Sequence, residues 1–288
     1  MNTTILFIIA MAGVIFVLSN LRTEKPPIVN LQVTEDRNFT TFQQVMDELQ
    51  KRGIKATIIT TGDFAKQHCE YMRDLSSKGY EFMAYAIPPK IEIIAGTPPT
   101  QTMDLLSYEE QKAIISQTKN DIEACINKPV RGLRPIRFKQ NEDTFRICDE
   151  LGILYNSGFS IAEKAYMPGH ENDNSPYAVK GHGFMAVPVR SVEKNNTFVT
   201  MCDHPMLASF TPKEYERTLK SELDKSAQND EALVTEIHTY TITGGSQRYA
   251  GTEENWDAFI GFLDYATSKN TLFITIEEFV PSPIMCAE

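Results

Sequence analysis

Apolar and polar residues alternate through residues 28–34, with Val29, Leu31 and Val33 on one face, and the run then breaks into Thr34-Glu35-Asp36-Arg37-Asn38. A period of two predicts a β-strand, and this strand ends in two adjacent carboxylates. Neighbouring acids repel each other and lose hydration when buried, so the pair stands out as candidate chemistry. The plainer alternative is a solvated loop in which Asp36 or Asn38 caps the next helix. Residues 40–51 then change period: Phe42, Val45, Met46 and Leu49 fall at helical spacing, and Gly53 ends the run. The same exchange of periods repeats along the chain. Strands are predicted at 56–60, 81–87, 132–135, 154–157, 184–189, 196–202, 232–238 and 272–276. Helices are predicted at 63–77, 108–126, 142–151, 212–228 and 253–269. Such alternation predicts parallel strands covered by helices, as a βα-barrel or an open doubly wound sheet.

The N-terminal pattern differs. Residues 5–18 form an uncharged apolar run, shorter than the roughly 20 residues of a comfortable spanning helix. It lacks a basic start and an A-x-A-like cleavage site, so residues 1–21 read as an uncleaved hydrophobic helix or signal-like anchor. Residues 22–27 follow as a linker, and 28–288 as the folded domain. Arg22 and Lys25 would keep that domain in the cytoplasm by the positive-inside rule, whereas N-x-[ST] triplets at Asn2, Asn38 and Asn195 suit the outer face.

Charge narrows the partners. A net charge of −10, with no block of basic residues, argues against nucleic acid. No glycine-rich phosphate loop follows any strand, which argues against a nucleotide. The five cysteines (Cys69, Cys125, Cys148, Cys202, Cys286) form no CxxC or CxxH pattern, so a structural zinc knuckle is not expected and the spacing assigns no disulfide.

Several segments together resemble the polysaccharide deacetylase family with its NodB-homology domain. Val33-Thr34-Glu35-Asp36-Arg37 falls where the family carries TFDDG, and Gly53-Ile54-Lys55-Ala56-Thr57 falls at its GIKATFF run. Gly79-Tyr80-Glu81-Phe82 resembles the glycine-His-Glu strand, Arg134-Pro135 opens the R-P-P-Y-G motif, and Ile237-His238 resembles the late L-H strand. The resemblance implies a distorted (β/α) barrel preceded by the N-terminal hydrophobic helix, working outside the membrane on N-acetylated polysaccharide or oligosaccharide. It also implies metal-assisted removal of an acetyl group. On that pattern Glu35 is the base, Asp36 the metal aspartate, Arg134 the partner of the base and His238 the acid. The two histidine ligands fall in register at Tyr85 and Pro89, neither of which replaces an imidazole, so the standard divalent (zinc-like) site is degenerate. A shifted site of Asp36, His204 and His238, with Cys202 beside it, would restore one. Tyr85 and Tyr240, at strand ends, are the candidate stacking platforms for a sugar. Two main functions remain, a glycan-engaging protein without the family's zinc chemistry and a divergent metal-dependent deacetylase, with an architectural surface protein whose groove is vestigial as a more distant third.

Overall fold

A computed structural model describes residues 25–88, 101–202, 206, 208–243 and 252–280, except for the side chains of 164, 165 and 252. The N-terminal apolar run, Pro89 and His204 lie outside the described residues. Among the described residues no helix is long and apolar enough to cross a membrane.

The elements alternate as the pattern predicts. Strand β1 (Ile28–Thr34) leads to helix α1 (Phe39–Lys51), then β2 (Thr57–Thr60), α2 (Gly62–Gln67), α3 (Cys69–Ser77) and β3 (Glu81–Ala86). Next come α4 (Tyr108–Ile126), β4 (Gly132–Pro135), α5 (Glu142–Glu150), β5 (Tyr155–Asn156), β6 (Tyr177–Ala178) and β7 (Met185–Ala186). The hairpin β8 (Ser191–Lys194) and β9 (Thr197–Thr200) precedes α6 (Pro212–Gln228), β10 (Ala232–His238) and α7 (Thr239–Ile242). The chain then forms α8 (Thr252–Ser268), β11 (Leu272–Phe273) and α9 (Ile276–Phe279).

The main sheet runs β10-β1-β2-β3-β4-β5-β7-β6, parallel from β10 through β7, with β11 also on β1. It curls towards closure. After β7 the chain crosses back, and Arg190 N–H donates to Val234 O on β10 at 3.0 Å. Met201 joins the same edge by accepting from Glu236 N–H at 3.0 Å, next to a parallel bridge between Cys202 and Glu236. The result is the distorted (β/α) barrel expected.

Both faces of β1 are buried, which the alternation alone does not reveal. Val29, Leu31 and Val33 pack outward with α1 residues Phe42, Val45, Met46 and Leu49 in the large helix-facing core. Asn30, Gln32 and Thr34 point inward and are fully buried. Buried polar groups need partners, and here they find one another. Asn30 Nδ2 donates to Thr57 Oγ1 (3.0 Å), and Gln32 Nε2 donates to Asn30 Oδ1 (3.1 Å) and Ser157 Oγ (2.8 Å).

Four local expectations change. The helix expected over 63–77 breaks at His68, whose φ of −122° is not helical; the ring stacks on Phe39 at 4.1 Å and the next residue is tied to α4 by a Cys69–Cys125 disulfide. The strand expected over 184–189 pairs only at Met185–Ala186, because the following residues form the crossover to β10. The strand expected over 196–202 is one arm of a hairpin turned by Asn195 and Asn196, both at positive φ, a conformation asparagine tolerates. The strand expected over 272–276 stops at Phe273, since Thr275 caps α9 through Glu278.

Candidate functional site

The mouth of the barrel lies at the C-terminal ends of its parallel strands, the end that carries chemistry in βα-barrels. β1 leaves the sheet through Asp36 and Arg37, at φ of 51° and 59°. Such backbone costs energy for non-glycine residues and concentrates at functional positions. This turn sends the two acidic side chains in opposite directions.

Asp36 reaches β10. Its Oδ1 accepts from His238 Nδ1 at 2.7 Å and its Oδ2 from Tyr240 N–H at 3.2 Å. Glu35 turns back into the protein and is 1% exposed. Its Oε1 accepts from Thr61 N–H (3.1 Å) and Thr61 Oγ1 (2.9 Å), and its Oε2 accepts from Arg37 N–H. Burial pushes the Glu35 carboxyl up, against those hydrogen bonds. Thr61 is also the N-cap of α2, so Glu35 ties the first βα turn to the start of that helix.

Arg134, expected beside Glu35, pairs with Glu236 of β10 instead. Its Nη2 donates to Glu236 Oε2 and to Gln32 Oε1 at 3.2 Å, and its guanidinium lies 4.3 Å from the Phe138 ring centroid. Glu236 Oε1 accepts from Thr34 Oγ1 at 2.8 Å and lies 3.6 Å from His238 Nε2. Burial opposes the charge on Glu236, yet Arg134 and His238 hold its carboxyl below the usual range. Burial likewise opposes protonation of His238, but Asp36 and Cys202 raise it well above an ordinary imidazole. The histidine is therefore a competent proton donor held in one orientation by Asp36.

Tyr85, beside Arg134 in the β3–β4 register, is half-buried in this cluster. Burial, together with the Glu236 and Asp36 carboxylates, keeps its hydroxyl protonated despite His238 and Arg134. Tyr240 is half-buried on α7, with its backbone rather than its ring engaged by Asp36. Of the other aromatic candidates, Phe159 is 1% exposed and Tyr166 is tied to Asp104 at 2.9 Å, while Trp256 packs along α8 on Phe259. His182 lies outside the barrel, bound to Asp149 and Glu142. His170 stacks on Tyr177.

The sequence reading missed Glu236. The signal was present: Val234, Glu236 and His238 alternate along β10 and share its inward face. Cys202 was noticed only as a neighbour of His204, because its pairing with Glu236 depends on how the β9 strand returns to the sheet.

These residues do not fit the metal set that the resemblance implies. Both Asp36 oxygens are engaged by protein donors, and the first histidine position holds a neutral phenol, a poor ligand.

The family model described as "Polysaccharide deacetylase" matches residues 31–155. No curated protein matches the chain in sequence. Among solved structures, a family 4 acetyl xylan esterase from Clostridium thermocellum in complex with a cobalt ion is similar at 14% identity and a TM-score of 0.54, over 89% of this chain and 95% of that one. A family 4 carbohydrate esterase from Streptomyces lividans in complex with acetate is similar at 12% identity and 0.53, over 87% and 93%. The Puue allantoinase is similar at 12% identity and a TM-score of 0.63, over 87% and 88%. At these identities the likenesses establish the fold.

Proposed function

We propose, from the match of residues 31–155 to the polysaccharide deacetylase family model, that the chain engages N-acetylated glycan at the barrel mouth without that family's standard zinc catalysis. The observation that carries this reading is the state of Asp36. The carboxylate at the metal-aspartate position is spent on His238 and Tyr240, with Tyr85 standing where the first histidine would be. Two further features argue against the standard hydrolytic roles. Glu35 is turned away from the mouth with its oxygens occupied, and Arg134 serves Glu236 rather than a base. What the mouth keeps is suited to recognition: a histidine held in one orientation by Asp36 and half-buried tyrosines for sugar faces.

The apolar run at 5–18 supports a membrane tether, and a Cys69–Cys125 disulfide suits the extracytoplasmic face. Protease added to intact cells is expected to remove the domain; full protection would place it inside.

The test of function is an acetate-release assay on N-acetylated oligosaccharide with zinc, cobalt or nickel supplied, run beside a binding titration. We expect saturable binding with no acetate above background. Acetate release that Asp36→Ala abolishes would show a working deacetylase and overturn the reading.

A further inference from the structure

We infer that the barrel mouth holds a divalent-cation site of mixed ligands, Cys202, Glu236 and His238, displaced from the family's metal position to the seam between β10 and the returning β9 chain. One ligand atom from each residue lies within 4.8 Å of the others. Cys202 and Glu236 are 4% and 3% exposed, so the cluster is built into the protein rather than scattered over its surface.

The geometry of each ligand supports the assignment. His238 Nδ1 is bound to the Asp36 carboxylate at 2.7 Å, which leaves Nε2 as the ring atom facing Glu236. A carboxylate behind a histidine is the usual support of a metal-bound imidazole: it fixes the ring and raises its basicity. Asp36 thus becomes an orienting residue behind a ligand, not a ligand itself. On Glu236, Arg134 takes Oε2, while Oε1 accepts from Thr34 Oγ1 at 2.8 Å and faces His238 Nε2. Nitrogen and oxygen ligands at 2.0–2.1 Å from one tetrahedral zinc stand about 3.3 Å apart. The observed separation of Nε2 and Oε1 is 3.6 Å, so little movement is needed. The parallel bridge between Cys202 and Glu236 sets the third ligand beside the second on the sheet. A thiolate, an imidazole and a carboxylate together select a borderline-soft ion such as zinc or cobalt over magnesium or calcium. Three protein ligands leave one tetrahedral position open, as in exchangeable rather than purely structural sites.

The inference does not depend on glycan binding, because the ion is read without any sugar. The purified full-length protein, stripped with chelator, is titrated with cobalt(II) and followed by near-ultraviolet absorbance and elemental analysis. The expected result is about one equivalent bound, with a thiolate-to-cobalt charge-transfer band. Cys202→Ser should abolish that band, and Asp36→Asn should retain it while weakening affinity roughly 10–100-fold. His238→Gln checks the second ligand, and thermal melting confirms that each variant is folded. No cobalt uptake by the folded wild type would overturn the inference. So would uptake that lacks the thiolate band and is untouched by Cys202→Ser, which would place the ion elsewhere.

Discussion

The two ends of the barrel interior each bury a carboxylate, and they treat it in opposite ways. At the N-terminal end, Glu81 of β3 accepts from Thr57 Oγ1 at 2.7 Å, from Ile276 N–H at 2.8 Å, from Glu277 N–H at 3.3 Å and from the Tyr155 hydroxyl. Helix α9 starts on that carboxylate and closes the end. Gly132 makes room for the plug, since a Cβ there would stand 2.1 Å from the Tyr155 ring. At the C-terminal end, Glu236 is held by Arg134 and the Thr34 hydroxyl, and lies against His238 and Cys202. The ends are joined by a run of buried side chains, Thr57, Asn30, Gln32 and Arg134. One end is satisfied entirely by the fold; the other gathers Cys202, Glu236 and His238, with ligand atoms within 4.8 Å of one another. The difference teaches where to look for function in such a barrel: where chemically reactive side chains gather beyond what closing the fold requires.

The largest expected effect tests the spine. Arg134→Met strips Glu236 of its guanidinium partner in a site 3% exposed, and should cost about 3–5 kcal/mol in a urea unfolding titration. Removing both charges, as Arg134→Met with Glu236→Leu, should recover most of that loss, because the pair's own net contribution is small. At the closed end, Gly132→Ala should cost about 1–3 kcal/mol by driving Tyr155 off Glu81, measured the same way.

A pH series separates the ends further. Burial raises the Glu81 carboxyl above 4.5 in the folded state, so the native protein binds more protons than the unfolded chain above that value. This contribution is fully present below the unfolded pKa and is lost as pH rises through the raised folded one. Glu81→Gln should therefore show a shallower fall in melting temperature from acidic to neutral pH than the wild type. An unchanged slope would assign the fall to another buried acid, Glu35 being the nearest in kind. The smallest effect on stability is expected at the mouth. Asp36→Asn keeps a residue tolerant of positive φ and replaces one charged hydrogen bond, so about 0.5–1.5 kcal/mol is expected in the urea titration. If it costs as much as Arg134→Met, the mouth is as structural as the base and the contrast between the ends fails.

Much of the fold was legible because strand and helix periods alternate cleanly from residue 28 to 279. The inward face of β1 was harder to read. Asn30, Gln32 and Thr34 look like a solvated face in a half-buried strand, and only closure of the barrel turns them into an interior polar layer. At the site, Asp36 and His238 were legible from a strand end and a motif register, and the structure brings them into contact. The partner of Arg134 was not. Glu35 and Glu236 compete for it, and the positive φ of Asp36 and Arg37, which turns Glu35 aside, leaves no mark in residue identity. Cys202 depended on a long return of chain through a hairpin, beyond the reach of local pattern.

The most direct test is a calorimetric titration of an N-acetylated oligosaccharide and its deacetylated counterpart into the wild type, Tyr85→Ala at the mouth and Glu81→Gln at the base. The account predicts saturable binding of the acetylated sugar alone, retained by Glu81→Gln and weakened about tenfold or more by Tyr85→Ala, a loss of roughly 1.4 kcal/mol. Binding of neither sugar by the wild type, or equal binding by Tyr85→Ala, would contradict it.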